Sequence, residues 1–296
     1  MFNNFNRFVE FSNQKIAIAK EYSEKFRLYN VGSFAVNHLV SNKGFRKVID
    51  LSYGHHERHK LDLYRTEQPK TLRPLIVFVH GGAWDSGDKK DYHFLGQTFA
   101  TEGYDVAIIN YRLAPNDIFP AYVDDLVLAL DYLTDHQSEL GIQSQNMILL
   151  GHSAGAFNIM SAVYYPDQDG AYKRQENIKA IIGLAGPYHF DYKDDPLCAD
   201  AFDQNVPYQQ VMPYYFVHNN HIRHYLLMAE HDQIVADWNA VDLNEALNQQ
   251  DNHSEIVVVP KTGHITIMGS VSSLFSSFFQ TKTEILRAID EALSEA

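Results

Sequence analysis

Cysteine is nearly absent from this chain of 296 residues, in which Cys198 is the single thiol. One cysteine cannot form an intramolecular disulfide, and without cysteine neighbours it does not match a zinc-site pattern. Positive charge is also scarce, because 24 Lys and Arg face 37 Asp and Glu, which gives a net charge of −13. Nucleic-acid binders need a basic surface for the phosphates. We therefore expect a reducing environment and no DNA or RNA partner.

Long apolar runs are missing as well. Residues 1–20 carry Asn, Glu and Lys throughout and lack both the apolar core and the small-residue cleavage site of a signal peptide. No stretch approaches the roughly 20 apolar residues that cross a bilayer. These absences predict a cytoplasmic protein without a membrane span.

Motifs for phosphate and metal binding are also absent. The chain contains neither G-x-x-x-x-G-K-[ST] nor H-E-x-x-H. His218, His221 and His224 are spaced like neighbours on a helix, but no carboxylate or thiolate ligand is clearly placed beside them. We interpret these histidines as a solvated polar face and predict no metal ion.

What the sequence does contain is a regular alternation of two patterns. Short β-rich apolar runs occupy residues 48–51, 61–64, 75–79, 106–109, 147–150, 180–184, 225–228 and 256–259. Helix-like stretches occupy residues 92–102, 122–133, 154–164, 236–248 and 275–294. The first two runs favour an antiparallel hairpin, and the later ones are typical of strands covered on both faces. The alternation predicts an α/β fold with a mostly parallel sheet and helices on both faces, in one domain over residues 1–296.

Two segments stand outside this alternation. Residues 1–45 include a stretch with helical spacing of apolar side chains at 13–29, and residues 188–224 form an insertion rich in Asp, Tyr and Pro. Ligands of open α/β sheets bind at the carboxyl ends of the strands. We expect both segments to be cap elements over that end, the insertion forming a small helical cap. Simple packing against the main body is the alternative for each.

The sequence Gly-His-Ser-Ala-Gly at residues 151–155 follows a predicted strand and precedes a predicted helix. This is the context of a nucleophile elbow, in which a sharp turn pushes a serine hydroxyl out of the sheet. The two glycines leave room for the turn, and the helix N-terminus favours negative charge. The pattern predicts Ser153 as a nucleophile.

A serine hydroxyl needs a general base, and the base needs an acid that orients it. Asp232 and His264 follow two later predicted strands, in the chain order Ser, Asp, His of α/β-hydrolases. Because parallel strands end at one edge of the sheet, we expect these residues to meet. Glu230 and Asp237 are the rival acids.

The sequence His-Gly-Gly-Ala-Trp at residues 80–84 directly follows another predicted strand. Small residues at this place let the backbone approach a substrate, and hydrolases of this kind use backbone N–H groups here to hold the oxyanion. We predict the amides of Gly82, Ala83 and Ala154 as the donors.

Together, residues 80–84, the Asn-Tyr-Arg-Leu-Ala-Pro sequence at 110–115 and residues 151–156 resemble motifs of the hormone-sensitive-lipase-like esterases, a group of α/β-hydrolases related to kynurenine formamidases. The resemblance implies ester or related acyl hydrolysis without a metal or organic cofactor. It also implies structural roles for Arg112 and for Asp124 or Asp125. Many esterases of the group have a third glycine where this chain has Ala83. The His-Gly-Gly-x-Trp form is similar to formamidases and to the feruloyl- or acetyl-esterase-like branch.

The expected substrate is therefore a small or medium carboxylic ester. An aryl formamide of the N-formylkynurenine type is the alternative that Trp84 suggests, and a non-catalytic binding protein on a hydrolase scaffold is a third. We expect Trp84 and His152 to contact the substrate. The sequence does not determine the oligomeric state, and a homodimer is one of the states it allows.

Overall fold

The computed structural model describes residues 43–166 and 172–294, so the helix expected at 13–29 and nearly all of segment 1–45 lie outside the described residues. An eight-stranded sheet forms the centre of the molecule, with the strand order β1-β2-β4-β3-β5-β6-β7-β8. The strands are β1 (Phe45–Ser52), β2 (Lys60–Thr66), β3 (Leu75–Val79), β4 (Asp105–Ile109), β5 (Met147–His152), β6 (Ile178–Leu184), β7 (Arg223–Ala229) and β8 (Ser254–Val259). The pairs β1–β2 and β2–β4 are antiparallel, and the other five pairs are parallel. The predicted mostly parallel sheet is confirmed.

Helices cover both faces of the sheet. They are α1 (His93–Thr101), α2 (Ala121–Asp135), α3 (Gln137–Leu140), α4 (Ala154–Tyr164), α5 (Trp238–Gln249), α6 (Thr266–Gly269) and α7 (Thr281–Ser294). Strand β3 shows why its residues form a central strand: all five are buried, with Leu75, Val77 and Val79 in one core cluster and Ile76 and Phe78 in the other. Successive side chains point to opposite faces of a strand, so an unbroken apolar run serves two cores at once.

The last helix begins later than the sequence pattern predicts. Residues 275–278 form turns, residues 279 and 280 are irregular, and the helix starts at Thr281. Four serines lie at 272, 273, 276 and 277, and serine side chains compete with the helix for backbone hydrogen bonds. Phe275 and Phe278 are exposed in this stretch and supply no buried face that would hold a helix against the core.

The insertion between β6 and β7 is built from loops and three short 3₁₀ helices, Ala199–Ala201, Tyr208–Gln210 and Pro213–Phe216. Prolines at 196, 207 and 213 interrupt it and disfavour longer helices. Within the described ranges, no helix is both long enough and apolar enough to cross a membrane.

Candidate active site

Ser153 stands at a sharp turn between β5 and α4, with φ 53° and ψ −120°. Such a backbone conformation is rare for a residue other than glycine and costs on the order of 1–3 kcal/mol. The glycines on either side are required by close packing. A Cβ at residue 155 would lie 2.1 Å from the carbonyl oxygen of Val79, and one at residue 151 would lie 2.5 Å from the carbonyl oxygen of Gly155. The tight packing holds the strained turn in place.

The structure brings Ser153, His264 and Asp232 together, although 111 residues separate Ser153 from His264. Nε2 of His264 lies 2.9 Å from Oγ of Ser153, and Nδ1 lies 2.8 Å from Oδ2 of Asp232. The three residues follow β5, β8 and β7, whose carboxyl ends share one edge of the sheet. The arrangement can transfer a proton from the serine hydroxyl to the imidazole.

Asp232 is held as an ionised carboxylate. Its Oδ1 accepts hydrogen bonds from the N–H groups of Ile234 at 2.8 Å and Val235 at 2.9 Å. Burial acts to raise the pKa of Asp232, but the nearby His264 ring and the two amides outweigh it and hold this pKa below its usual value. The carboxylate therefore stays charged at neutral pH and can stabilise a protonated His264.

The two rival acids are placed elsewhere. Glu230 accepts a hydrogen bond from the N–H of Lys261 at 2.7 Å and lies 3.4 Å from the exposed His231 ring. Asp237 directly precedes helix α5. Asp232 is the carboxylate in hydrogen-bond contact with the His264 ring.

The loop after β3 lies against the nucleophile turn. A Cβ at residue 81 would come within 3.1 Å of the Ser153 Cβ, and Gly82 (φ 124°) and Ala83 (φ 49°) both have positive φ. Ala154 is the first residue of α4, so its N–H has no acceptor within the helix. The role of the Gly82, Ala83 and Ala154 amides as oxyanion donors stays a prediction.

A cleft of about 750 Å³ opens at Ser153. Its wall includes Ala83 and Trp84 from the loop after β3, together with Phe190, Tyr208 and Trp238, while His189, Asp191, Lys193 and Asp195 add polar groups. Volumes of this size suit small molecules, and an apolar wall with a few polar groups is typical of ligand sites.

Trp84 forms part of the cleft wall but is almost fully buried. Its Nε1–H donates to Oδ1 of Asn158 at 2.8 Å, and its ring packs edge to face on Phe157 and Phe202. The indole N–H therefore already has its acceptor within the protein, and the Trp84 side chain can offer a substrate only apolar surface.

His152 does not line the cleft, contrary to the contact with substrate expected from the sequence. Its ring is buried and turns toward the loop after β8, where Nε2 lies 2.8 Å from the carbonyl oxygen of His264. Burial is the main reason that the pKa of His152 falls to about 3, so the ring is neutral.

The histidines at 218, 221 and 224 do not share a helix face. His224 is fully buried on β7 and is hydrogen-bonded to the Tyr164 hydroxyl at 2.9 Å, whereas His218 and His221 contact backbone carbonyl oxygens. The prediction of a solvated face was therefore wrong for His224. In the part of the chain that the structure describes, no three His, Cys, Asp or Glu side chains are grouped to hold a metal ion.

The sequence analysis did not predict most of the cleft wall, including Trp238 and His189. Trp238 lines the cleft although 59% of it is exposed, and His189 lines it while its Nδ1 lies 2.6 Å from Oδ2 of Asp242. The one sequence signal for Trp238 is its place in the chain, six residues after Asp232. No local pattern marks His189.

Over about half of its length the chain is similar to curated methylesterases and kynurenine formamidases. The chain is 32% identical over 161 residues to the probable isoprenylcysteine alpha-carbonyl methylesterase ICME of Oryza sativa subsp. japonica, covering 52% of this chain and 38% of that protein. It is 29% identical over 138 residues to the kynurenine formamidase of Drosophila melanogaster, covering 47% and 45%. The chain thus spans less than half the length of these curated relatives.

Solved structures give a fuller overlap at lower identity. Esterase B from Lactobacillus rhamnosis superposes with a TM-score of 0.75 at 15% identity over 97% of both chains, and a bacterial heroin esterase with a TM-score of 0.70 at 20% identity over 90% of both. These likenesses confirm the α/β-hydrolase fold. The BD-FAE family matches residues 61–247, which include the loop after β3, Ser153 and Asp232. The chain belongs to the BD-FAE family.

Proposed function

We propose that this protein is a serine hydrolase that cleaves small or medium carboxylic esters through an acyl-enzyme. The observation that carries the proposal is the chain of contacts from Ser153 Oγ to His264 Nε2 at 2.9 Å and from His264 Nδ1 to Asp232 Oδ2 at 2.8 Å. The esterases among its relatives support the same chemistry.

The reaction begins when His264 takes the proton of the Ser153 hydroxyl and the serine oxygen attacks the ester carbonyl. Asp232 stabilises the imidazolium that forms. The amides of Gly82, Ala83 and Ala154 hold the oxyanion, and each such donor typically contributes roughly 2.7–4 kcal/mol to transition-state stabilisation. His264 then protonates the leaving alcohol. A water molecule that His264 activates releases the acid.

The decisive test is Ser153→Ala assayed with p-nitrophenyl acetate. We expect kcat to fall by a factor on the order of 10⁴ or more, because the nucleophile is lost while the fold remains. Ser161→Ala is a matched control: Ser161 is a fully buried serine of α4 whose Oγ has no partner among the described residues. The control should keep its activity. A Ser153→Ala variant that retains most of the wild-type rate would refute the proposal.

Hydrolysis of an aryl formamide is the second candidate. Kynurenine formamidases of Drosophila melanogaster and Danio rerio are 29% and 28% identical to parts of this chain. The aromatic cleft wall formed by Trp84, Phe190, Tyr208 and Trp238 suits an aryl group. Values of kcat/KM for short p-nitrophenyl esters and for N-formylkynurenine distinguish the candidates, and a large advantage of the formamide would reverse our choice.

A non-catalytic binding protein is the third candidate, and a fluorophosphonate probe tests it. We expect the probe to label Ser153 in the folded wild type, since the hydroxyl lies within hydrogen-bond distance of a base. Folded protein that resists labelling would favour a binding role.

We further propose one domain in which residues 188–224 act as a cap, since His189, Phe190 and Tyr208 of this insertion line the cleft. The corresponding role of residues 1–45 stays a prediction. A cytoplasmic location is supported by the scarcity of cysteine, because the buried Cys198 has no second cysteine in the chain with which to form an intramolecular disulfide. Homodimer formation also stays a prediction, which light scattering of the purified protein would test.

A further inference from the structure

His152 connects the two loops that carry the proposed nucleophile and base. It is the last residue of β5, directly before Ser153, and it is buried. Its Nε2 lies 2.8 Å from the carbonyl oxygen of His264, 112 residues later in the chain. The centroids of the two imidazole rings are 5.2 Å apart. One side chain thus joins the strand of the nucleophile to the backbone of the base.

The contact with the carbonyl oxygen determines the tautomer of His152. A carbonyl oxygen only accepts hydrogen bonds, so Nε2 must carry the proton. Nδ1 is buried and has no hydrogen-bond partner among the described residues. Gly81 packs against this edge, where an added Cβ would lie 3.0 Å from Nδ1. A second proton on Nδ1 would therefore be buried without an acceptor.

The electrostatic surroundings agree with a neutral ring. Burial, together with the nearby rings of His264 and His80, lowers the pKa of His152, against the opposing effect of the His264 carbonyl and Asp232. A neutral ring also avoids a second positive charge beside His264 when that residue takes the serine proton. His152 can thus support His264 without competing with it for a proton.

The position of the His264 ring depends on its backbone as well as on Asp232. Asp232 holds the ring at Nδ1, and His152 holds the carbonyl group of the same residue. A displacement of about 1 Å at a reacting group can cost roughly 10²-fold in rate. Because His152 lies outside the cleft wall, its loss should affect the chemical step more than substrate binding.

We propose that His152 is a positioning residue, which donates its Nε2–H to the His264 carbonyl and so keeps the base in line with Ser153. This inference rests on the proposed function, because positioning matters only if His264 acts as the base.

The test compares two amide substitutions of different reach, His152→Gln and His152→Asn. The Gln amide nitrogen can occupy the place of Nε2 and donate to the His264 carbonyl, whereas the Asn amide reaches only the place of Nδ1. We expect His152→Asn to lower kcat for p-nitrophenyl acetate by about 10²-fold with KM changed less than about twofold. His152→Gln should recover at least about tenfold of that loss.

A matched control removes another buried histidine. His224 is fully buried but lies near the start of β7, away from the carboxyl ends of the strands, and is hydrogen-bonded to Tyr164. His224→Asn should lower thermal stability while kcat stays within about twofold of wild type. A loss of kcat as large as that of His152→Asn would mean that burial alone explains the effect and would overturn the inference.

Two further results would overturn it: equal kcat in His152→Asn and His152→Gln, or a larger effect on KM than on kcat. If His152→Asn does not fold, ¹⁵N NMR of the wild type decides, with the His152 signals assigned by their loss in His152→Gln. We expect a neutral Nε2–H tautomer from pH 5 to pH 9, and an imidazolium at pH 6 would contradict the proposal. Fluorophosphonate labelling distinguishes a failure of the proposed hydrolase function from a failure of the positioning role of His152. No labelling of wild-type Ser153 refutes the proposed function, whereas labelling combined with equal kcat in the two variants refutes the positioning role alone.

Discussion

Two buried histidine–aspartate pairs of nearly the same geometry lie in different parts of the molecule. In the candidate site, His264 Nδ1 lies 2.8 Å from Asp232 Oδ2. In the scaffold beside β2 and α2, His59 Nε2 lies 2.9 Å from Asp125 Oδ1. All four side chains are at most 10% exposed. Distance and burial therefore do not distinguish a catalytic pair from a structural one.

The other ring nitrogen distinguishes them. Nε2 of His264 faces the Ser153 hydroxyl at 2.9 Å, whereas Nδ1 of His59 accepts a hydrogen bond from the backbone N–H of His56 at 3.3 Å. A hydroxyl activated by a base becomes a nucleophile, while a backbone amide does not lose its proton. Neither of the two hydrogen-bond partners recorded for the His59 ring, the His56 amide and the Asp125 carboxylate, is a hydroxyl or thiol that a base could activate.

The carboxylates also have different neighbours. Asp125 is paired with the permanent cation of Arg112, whose Nη2 lies 2.7 Å from Oδ1 and whose backbone N–H donates to Oδ2 at 2.7 Å. Among the described residues, no Arg or Lys contacts Asp232, which receives two backbone N–H groups and the imidazole. Its charge is therefore available to an imidazolium. The arginine contacts also identify Asp125, the second of the two aspartates considered, as the structural partner of Arg112.

The largest effect that would test this contrast is expected for Asp232→Asn. An amide at this position no longer favours the tautomer of His264 that accepts the serine proton, and such changes lower kcat by a factor on the order of 10⁴. Steady-state kinetics with p-nitrophenyl acetate measure the loss. Glu230→Gln, two residues earlier in the same loop, is the control and should retain activity. If kcat of Asp232→Asn fell by less than about tenfold, the Asp232–His264 pair would not be catalytic in the sense that separates it from the Asp125–His59 pair.

Asp125→Asn should give the reverse result. It breaks a buried ion pair and leaves Arg112 and His59 without their carboxylate, which typically costs about 3–5 kcal/mol of unfolding free energy. Activity per folded molecule should stay within about threefold of wild type, because the pair lies outside the candidate site. Urea unfolding and kcat measured on the same sample check both parts. A large fall in kcat at unchanged stability would show that the scaffold pair takes part in the chemistry.

The fold and the meeting of three distant residues were predictable because their causes are local. Strands such as β3 are continuous apolar runs, and runs alternating with helix patterns allow few topologies. Once the sheet is parallel, residues that follow β5, β7 and β8 share one edge. The positions of Ser153, Asp232 and His264 follow from that geometry.

The directions of neighbouring side chains were not predictable, because distant residues decide them. The motif at 151–155 places His152 beside the nucleophile, but its ring turns away from the cleft since the His264 carbonyl supplies an acceptor there. The indole of Trp84 is likewise held in the wall by Asn158, whose position on α4 no local pattern relates to residue 84. Buried hydrogen-bond partners far apart in sequence leave no periodic signal.

The pH dependence of stability gives a smaller effect at Asp232. Its pKa is lower in the folded protein than in the unfolded chain, because His264 and two amides stabilise the charged form more than burial disfavours it. The resulting stabilisation is complete above the unfolded pKa of about 3.9 and is lost as the pH falls through the folded value. Wild type should therefore be more stable than Asp232→Asn at pH 5–7, and the difference should shrink below about pH 4. Urea titrations at several pH values measure it. A gap that grows toward pH 3 would contradict the assigned direction.

The smallest effect is expected at a third histidine–aspartate pair, His189 and Asp242, of which His189 lines the same cleft. As in the candidate site, the histidine Nδ1 contacts an aspartate Oδ2. However, Nε2 of His189 faces the Tyr215 hydroxyl at 3.0 Å, and the Asp242 side chain is 34% exposed. Partly exposed pairs contribute about 0–1 kcal/mol. We therefore expect Asp242→Asn to change kcat by less than about threefold, with any effect on KM larger for bulky esters that reach this wall. If the loss of kcat matched that of Asp232→Asn, proximity to the cleft rather than contact with Ser153 would be what makes such a pair catalytic.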